Sequence, residues 1–308
     1  MDTMTSAFQG ISPLPHLGVI RVEGEDAASF LHGQLTQDFS LLGLSEARLS
    51  ALCSPKGRVL ATFIGFKRSH ADILLVCRRD ILAAMVKRLS MFVLRAKARI
   101  TDASDAFVVR GLMGQAALSV AGAAGGPWSR VDVAGASVVF LYPADGVPCA
   151  LWVAPAETPA PDAEPASGEV WQLAEVRSGV AWVGAATTDA FVPQMLNYES
   201  IGGVNFKKGC YPGQEVVARS QFRGTLKRRA VLARAGHSLA PGDELFLASE
   251  PDQPAATVVQ SAPGLQGGSE AILSGQISAF AGGSLHLGSA GGPPVDLRPA
   301  PYPLLEDI

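Results

Sequence analysis

Charge, cysteine and aromatic rings are all scarce in this 308-residue chain. Asp, Glu, Lys and Arg make up 17% of it and the net charge is −3, so no global field marks a nucleic-acid or membrane binder. The four cysteines, Cys53, Cys77, Cys149 and Cys210, stand far apart, with no Cys-x-x-Cys pair and no histidine at metal-ligand spacing. That excludes the usual zinc motifs. No apolar run approaches the roughly 18 residues a membrane helix needs. The start of the chain has Asp2 and neither an early basic cluster nor an apolar core, which predicts no secretory signal. The expectation is a cytoplasmic protein with reduced thiols.

What is present points to a well-buried globular chain. Apolar residues are 48%, and the length predicts two or three domains rather than one core. The cations are unevenly spread. Residues 78–99 hold Arg78, Arg79, Lys87, Arg88, Arg95, Lys97 and Arg99 against Asp80 alone. Residues 207–229 hold Lys207, Lys208, Arg219, Arg223, Lys227, Arg228 and Arg229 against Glu215 alone. These stretches are either two solvated faces or, if they meet, one surface suited to an anionic ligand.

Strand and helix signals alternate without a regular βαβ repeat, which predicts an α+β class. "GVIRVEG" (18–24) alternates like a strand, and "EDAASFLHGQLTQDFSLL" (25–42) has helical spacing. "ARLSALCSP" and "GRVLATFIGFKR" read as a hairpin joined at Pro55-Lys56-Gly57. "ADILLVC" is a further strand, and a helix is expected from Asp80 to about Leu94. "AFVVRGLMG", "SVVFLYPAD" and "ALWVAP" also read as strands. Residues 154–168, "APAETPAPDAEPASG", predict a mobile surface loop without chemistry of its own. Helix resumes at "EVWQLAEVRSG", with Trp171, Ala174 and Val176 inward. From Lys227 onward, short strands separated by Gly, Pro and Ser predict an all-β barrel or sandwich. The expected division is a core of two subdomains over 1–225 and a C-terminal domain over 226–308.

One stretch stands out: "FKKGCYPGQEVVARSQFRG", residues 206–224. Taking Pro212 as a first helical position, "PGQEVVARSQF" becomes a helix of about three turns closed by Gly224. Glu215 suits the first turns, where the dipole favours an acid. Cys210 then sits just off the helix start beside Lys207 and Lys208, and both neighbours favour thiolate over thiol. Gly209 and Gly213 leave room for a ligand to approach. Cys210 is then reactive or ligand-facing; the alternative is a small residue filling a tight turn. Lys56 is similarly double: an ordinary turn residue, or a cation aimed at an anionic ligand. Cys77, in "ADILLVC", and Cys149, in "GVPCALWVA", read as inert core residues.

These residues carry a family likeness. "FKKGCYPGQEVVAR" resembles the signature of the YgfZ-type folate-binding proteins, relatives of the glycine cleavage aminomethyltransferase (T-protein). "FLHGQLTQD" resembles the family's Phe-Leu-x-Gly-Gln-Leu-Thr-x-Asp, "CSPKGR" its second motif, and "FVPQMLNYESIGGVNF" the approach to the cysteine loop. The resemblance covers most of the chain. It implies a three-domain cloverleaf around a central channel, with a C-terminal antiparallel β-barrel. It further implies binding of tetrahydrofolate or a one-carbon derivative, and a role in supporting the assembly or repair of iron–sulfur enzymes, including those that modify tRNA. The implied partners are reduced folate and iron–sulfur enzymes or assembly factors.

Carried over residue by residue, the likeness makes Cys210 and Lys208 the functional pair. It assigns cofactor contacts to Gln34, Thr36 and Asp38 of the first motif, Lys56 of the second, Asn197 of the approach, and Tyr211, Gln214, Glu215 and Arg219 of the signature. The cations suit the ligand's anionic glutamate tail. Two departures matter. Aminomethyltransferases carry Asp-Phe-x-Gly where this chain has Cys210-Tyr211-Pro212-Gly213, so the carboxylate that assists proton movement is missing and glycine cleavage is not expected. Relatives also place a Glu at the position of Arg177, which cannot accept a hydrogen bond; both Arg177 and Glu175 stand as cofactor-contact candidates, and either pterin recognition is altered to use Glu175 or folate affinity is weak. The alternative function is a folate-dependent one-carbon transferase or demethylase. Direct tRNA contact is disfavoured because no aromatics interleave the cations. No metal site is expected, since one cysteine does not hold a cluster alone.

Overall fold

The computed structural model describes residues 7–222 and 226–305. In chain order the elements are β1 Gly10–Pro13, β2 Leu17–Glu23, α1 Ala27–Gln34, β3 Ala47–Cys53, β4 Val59–Ser69, β5 Asp72–Arg78, α2 Arg79–Ser90, β6 Arg99–Asp102, β7 Phe107–Met113, α3 Gln115–Ala121, β8 Arg130–Val133, β9 Ala136–Phe140, β10 Cys149–Pro155, α4 Gly168–Arg177 and α5 Gln214–Phe222. There follow β11 Arg228–Ala235, β12 Glu244–Leu247, β13 Glu250–Pro263, β14 Ser269–Gln276, α6 Ile277–Gly282, β15 Leu285–Leu287 and β16 Pro294–Arg298. Strands β3-β4-β5-β2-β6 form one five-stranded sheet and β1-β7-β10-β9-β8 another. Strands β11-β14-β13-β12-β15-β16 close into a barrel. The α+β class and the closed C-terminal barrel agree with the sequence.

Each sheet hides one face under its own helices. α1 and α2 place Phe30, Leu31, Ile81, Leu82, Met85 and Leu89 over Ile20, Phe63 and Leu75. α3 sets Ala117 and Ala121 against Leu112, Val138 and Trp152. The other faces meet in a central core with Leu49, Ile64 and Val76 from one sheet, Val109, Val139 and Leu151 from the other, and Ala230, Val259 and Ile272 from the barrel. Helix α4 runs through this junction. Ser167 caps it by accepting a hydrogen bond from Val170 N at 3.3 Å, and its residues 173–177 are all buried. A helix segment buried all round needs its polar side chains paired, and those of Glu175 and Arg177 are.

Several sequence expectations shift. The first helix stops at Gln34, because Leu35 bridges Leu52 and Thr36 is captured by Ala51: Thr36 N donates to Ala51 O at 3.0 Å and Ala51 N to Thr36 Oγ1 at 2.8 Å. The helix expected to reach Leu94 ends at Ser90. Helix α5 begins at Gln214, leaving Pro212 and Gly213 in the turn ahead of it; the proposed closing residue Gly224 lies outside the described residues. The 154–168 stretch is tethered at its far end, where Ile11 N donates to Glu164 O and Ala166 N to Ile11 O, both at 2.8 Å.

Candidate functional site

Two glycine turns bring the second motif and the cysteine loop together. Gly57 and Gly213 both have positive φ, +71° and +80°. A Cβ on Gly213 would stand 2.4 Å from Ser54 O and 2.7 Å from Gly57 Cα, and one on Gly57 2.7 Å from Val216 Cβ. Only glycine permits both the left-handed backbone and this approach. Lys56 is exposed at the tip of the same turn. Gln214 opens α5, with its N–H donating to Tyr211 O at 3.2 Å. Further along α5, Glu215 and Arg219 pair with each other at 2.7 Å on the exposed face.

The first motif supplies the floor. Thr36 Oγ1 donates to Gly203 O at 2.7 Å and Gln37 Nε2 to Gly202 O at 2.7 Å, which clamps the 36–38 segment to the approach of the cysteine loop. Asp38 is buried; its Oδ1 accepts from Leu41 N at 2.9 Å and lies 3.0 Å from His32 Nδ1. Burial alone would raise the Asp38 carboxyl, but the Leu41 amide and His32 outweigh it and hold it below its usual range. Gln34 leaves its Oε1 buried without a hydrogen-bond partner.

Above this floor, Cys210 is exposed, whereas Cys53, Cys77 and Cys149 are buried. Burial pushes the Cys53 and Cys149 thiols up to about 12 and the Cys77 thiol higher still; all three are inert packing residues. Lys208 is buried, and its ammonium lies 4.6 Å from the centre of the Tyr211 ring and donates to Gly209 O at 3.1 Å. Burial, opposed by the attraction of Asp38 and Cys210, brings the Lys208 ammonium down to about 8. Burial also raises the Tyr211 phenol.

A second feature lies at the central junction. A cavity with about 320 Å³ of non-atom space is walled by Trp128, Tyr142, Trp171 and Trp182, with Glu175 and Cys149 among the remaining lining residues. Only about 10 Å³ of it admits the centre of a water, roughly one molecule. Gly111 makes the wall possible, since a Cβ there would lie 2.1 Å from the Trp171 ring. Trp128 Nε1 donates to Ile201 O at 2.9 Å, and the Trp128 and Tyr142 rings are 5.7 Å apart. Glu175 Oε1 accepts from Trp171 Nε1 at 2.9 Å and lies 3.5 Å from His16 Nε2, while Oε2 accepts from Gln260 Nε2 at 3.1 Å. Desolvation raises the Glu175 carboxyl, but His16, Arg78 and Trp171 overcome it and hold the group below its usual range.

Not every candidate faces these two features. Arg177 donates through Nε and Nη2 to the two carboxylate oxygens of Glu270 at 2.9 and 2.6 Å, and through Nη1 to Asp145 at 2.7 Å. It fastens α4 to the barrel; Glu175, two residues earlier, meets the cavity. Asn197 donates to Ala230 O at 2.9 Å and accepts from Ala230 N at 3.1 Å, so its amide serves as a strand partner for β11. Several cations of the two stretches have partners of their own: Arg79 pairs with Asp105, Lys97 with Glu25 and Arg229 with Glu199, and Arg228 points at barrel carbonyls. Arg223 lies outside the described residues. Sequence reasoning passed over the cavity wall, although three of only four tryptophans stand in it. It also passed over His32, an unspecified position of the first motif.

No family model matches the chain. A curated relative, the tRNA-modifying protein YgfZ of Sodalis glossinidius (strain morsitans), is 27% identical over 309 residues, spanning 94% of this chain and 91% of the relative. The chain is similar to YgfZ over nearly its whole length. Among solved structures, the glycine cleavage system aminomethyltransferase T of Bartonella henselae superposes with a TM-score of 0.69 at 15% identity, covering 99% of this chain and 88% of that one. The aminomethyltransferase fold is thus shared over the whole YgfZ-like chain. No helix among the described residues is long and apolar enough to cross a membrane.

Proposed function

We propose that this chain is a tetrahydrofolate-binding accessory protein that supports the assembly or repair of iron–sulfur enzymes, including ones that modify tRNA. The observation that carries the folate half is the buried Glu175 carboxylate on the wall of a cavity otherwise built from Trp128, Tyr142, Trp171 and Trp182. A pterin is a flat ring with adjacent N–H donors. Aromatic walls suit its faces, and an ionised carboxylate, which has about four acceptor sites, retains capacity for its edge. The name of the tRNA-modifying relative supports the second half. In this reading residues 1–225 are the folate-binding core, 226–308 are the barrel domain, and Cys210 with Lys208 is the working pair.

The free space is too small for a pterin as it stands, so binding requires the aromatic wall to rotate outward. Tryptophan emission should therefore change as tetrahydrofolate is titrated, and the thermal midpoint should rise as ligand selects the folded state. No shift with tetrahydrofolate or its one-carbon derivatives would end the folate reading. Independently, Cys210→Ala should fail to complement a strain lacking a YgfZ relative while melting like the parent. Normal complementation would remove the thiol from the function.

A further inference from the structure

Two distant motifs bring proton-handling groups to the loop that carries the exposed Cys210. His32 and Asp38 come from the end of α1 and the segment after it; Lys208 comes from the cysteine loop. His32 Nδ1 is 3.0 Å from Asp38 Oδ1, which leaves Nε2 as the free edge of the imidazole. That edge lies 3.3 Å from the point where a Cβ on Gly209 would stand, one residue from the thiol. Lys208 has the third place. It is only 8% exposed; its ammonium donates to Gly209 O and lies against the Tyr211 ring, and among the described residues no carboxylate is within ion-pair distance of it. Asp38 and Cys210 are the charged and titratable groups that act on it. Asp38 also acts on Lys67, buried on β4.

A buried ammonium with no carboxylate paired to it, two residues from an exposed thiol, favours an anion there. The thiol itself can become that anion if its proton has somewhere to go, and the imidazole edge of His32 lies at this loop. We propose that His32, braced by Asp38, accepts the proton of the Cys210 thiol, and that Lys208 holds the resulting thiolate. The proton passes from Sγ to Nε2, the Nδ1–H stays directed at Asp38, and the imidazolium so formed is paired with that carboxylate. His32 is then a positioning and proton-accepting residue of the cysteine site. The proposal rests on the reading of Cys210 as the working thiol and not on folate.

Iodoacetamide provides the test, because the other three cysteines are buried and labelling of the native protein reports Cys210. The pseudo-first-order rate is measured from pH 5 to 10 for the parent, His32→Gln and Asp38→Asn, with Cys210→Ala as the blank and thermal midpoints alongside. Gln at position 32 can still bond Asp38 but takes no proton. His32→Gln should label about tenfold more slowly at pH 7, a loss of the size expected when a thiol's charged partner is removed. The gap should close above pH 9, where solvent removes the proton, and the midpoint should be unchanged. Asp38→Asn should slow labelling in the same direction, and it decides the matter alone if His32→Gln does not fold. Parent-like profiles in the folded variants would overturn the proposal. A protein that ignores tetrahydrofolate yet shows the His32-dependent profile would sink the folate reading and leave this one standing; the reverse result would do the opposite.

Discussion

Gly213 packs against Gly57 so closely that a Cβ on the former would lie 2.7 Å from the Cα of the latter. The contact joins the β3–β4 turn to the turn that carries Cys210, two segments more than 150 residues apart in sequence. Both glycines have left-handed φ, so side chains are excluded twice over, by backbone preference and by space. Gly213→Ala should cost about 2–3 kcal/mol, read as a lower denaturant midpoint. It should also loosen residues 206–213, seen as faster proteolysis there. An alanine variant as stable as the parent would show that the turns can separate freely.

The two-point grip of Arg177 on Glu270 makes a second prediction. Arg177→Met leaves Glu270 buried with its charge uncompensated, which should cost about 3–5 kcal/mol. The double variant Arg177→Met/Glu270→Met should recover most of that loss, since a well-packed apolar pair replaces a buried ionic one at little net cost. Chemical denaturation of the four species in the cycle measures the coupling. Additive effects would mean the pair does not hold α4 to the barrel.

Glu175 is buried, and His16, Arg78 and Trp171 outweigh the desolvation that burial imposes on its carboxylate. Glu175→Gln would turn an amide towards Trp171 Nε1 or Gln260 Nε2, both donors, and should cost about 2 kcal/mol. Because the folded carboxyl is held below its ordinary value, the parent's advantage is present above the unfolded carboxylate range and is lost as pH falls through the folded value. Melting curves from pH 7 down to pH 3 should therefore converge for parent and variant.

Lys208 behaves in the opposite sense. Its folded value is about 8 against an ordinary 10.5, so the unfolded chain binds the extra proton between those limits and stability rises with pH across that window. Below about pH 8 the full cost of burying the cation is present. Lys208→Met should raise the thermal midpoint at pH 7 by about 2 °C, with the difference fading towards pH 10, while function is lost. A midpoint difference independent of pH would show that Lys208 is not the source.

The hairpin at Pro55-Lys56-Gly57, the strands β2, β5, β7 and β10, and helix α4 were legible because their periodicity is local and their burial follows from it. The barrel was legible from its texture of short strands between Gly, Pro and Ser. The ends of α1 and α2 were not. Leu35 and Thr36 have helical spacing, but Ala51 and Gly203 offer backbone partners that a one-dimensional pattern does not contain. Arg177 and Asn197 stood in motif positions and read as ligand contacts; the structure gives their hydrogen bonds to Glu270, Asp145 and Ala230.

By itself the sequence determined the local chemistry: an exposed-type loop with one cysteine and two lysines, an α+β body, a β-rich C-terminal part, and motifs that resemble one family. Tertiary structure decided which of those residues meet. Glu175 joins a cavity wall of Trp128, Tyr142, Trp171 and Trp182, His32 reaches the cysteine loop, and Arg177 turns to the barrel. The reason is that neighbours along the chain are set by short-range backbone preference, whereas these meetings depend on how three separate layers share one buried core, a property of the whole packing and of no single segment.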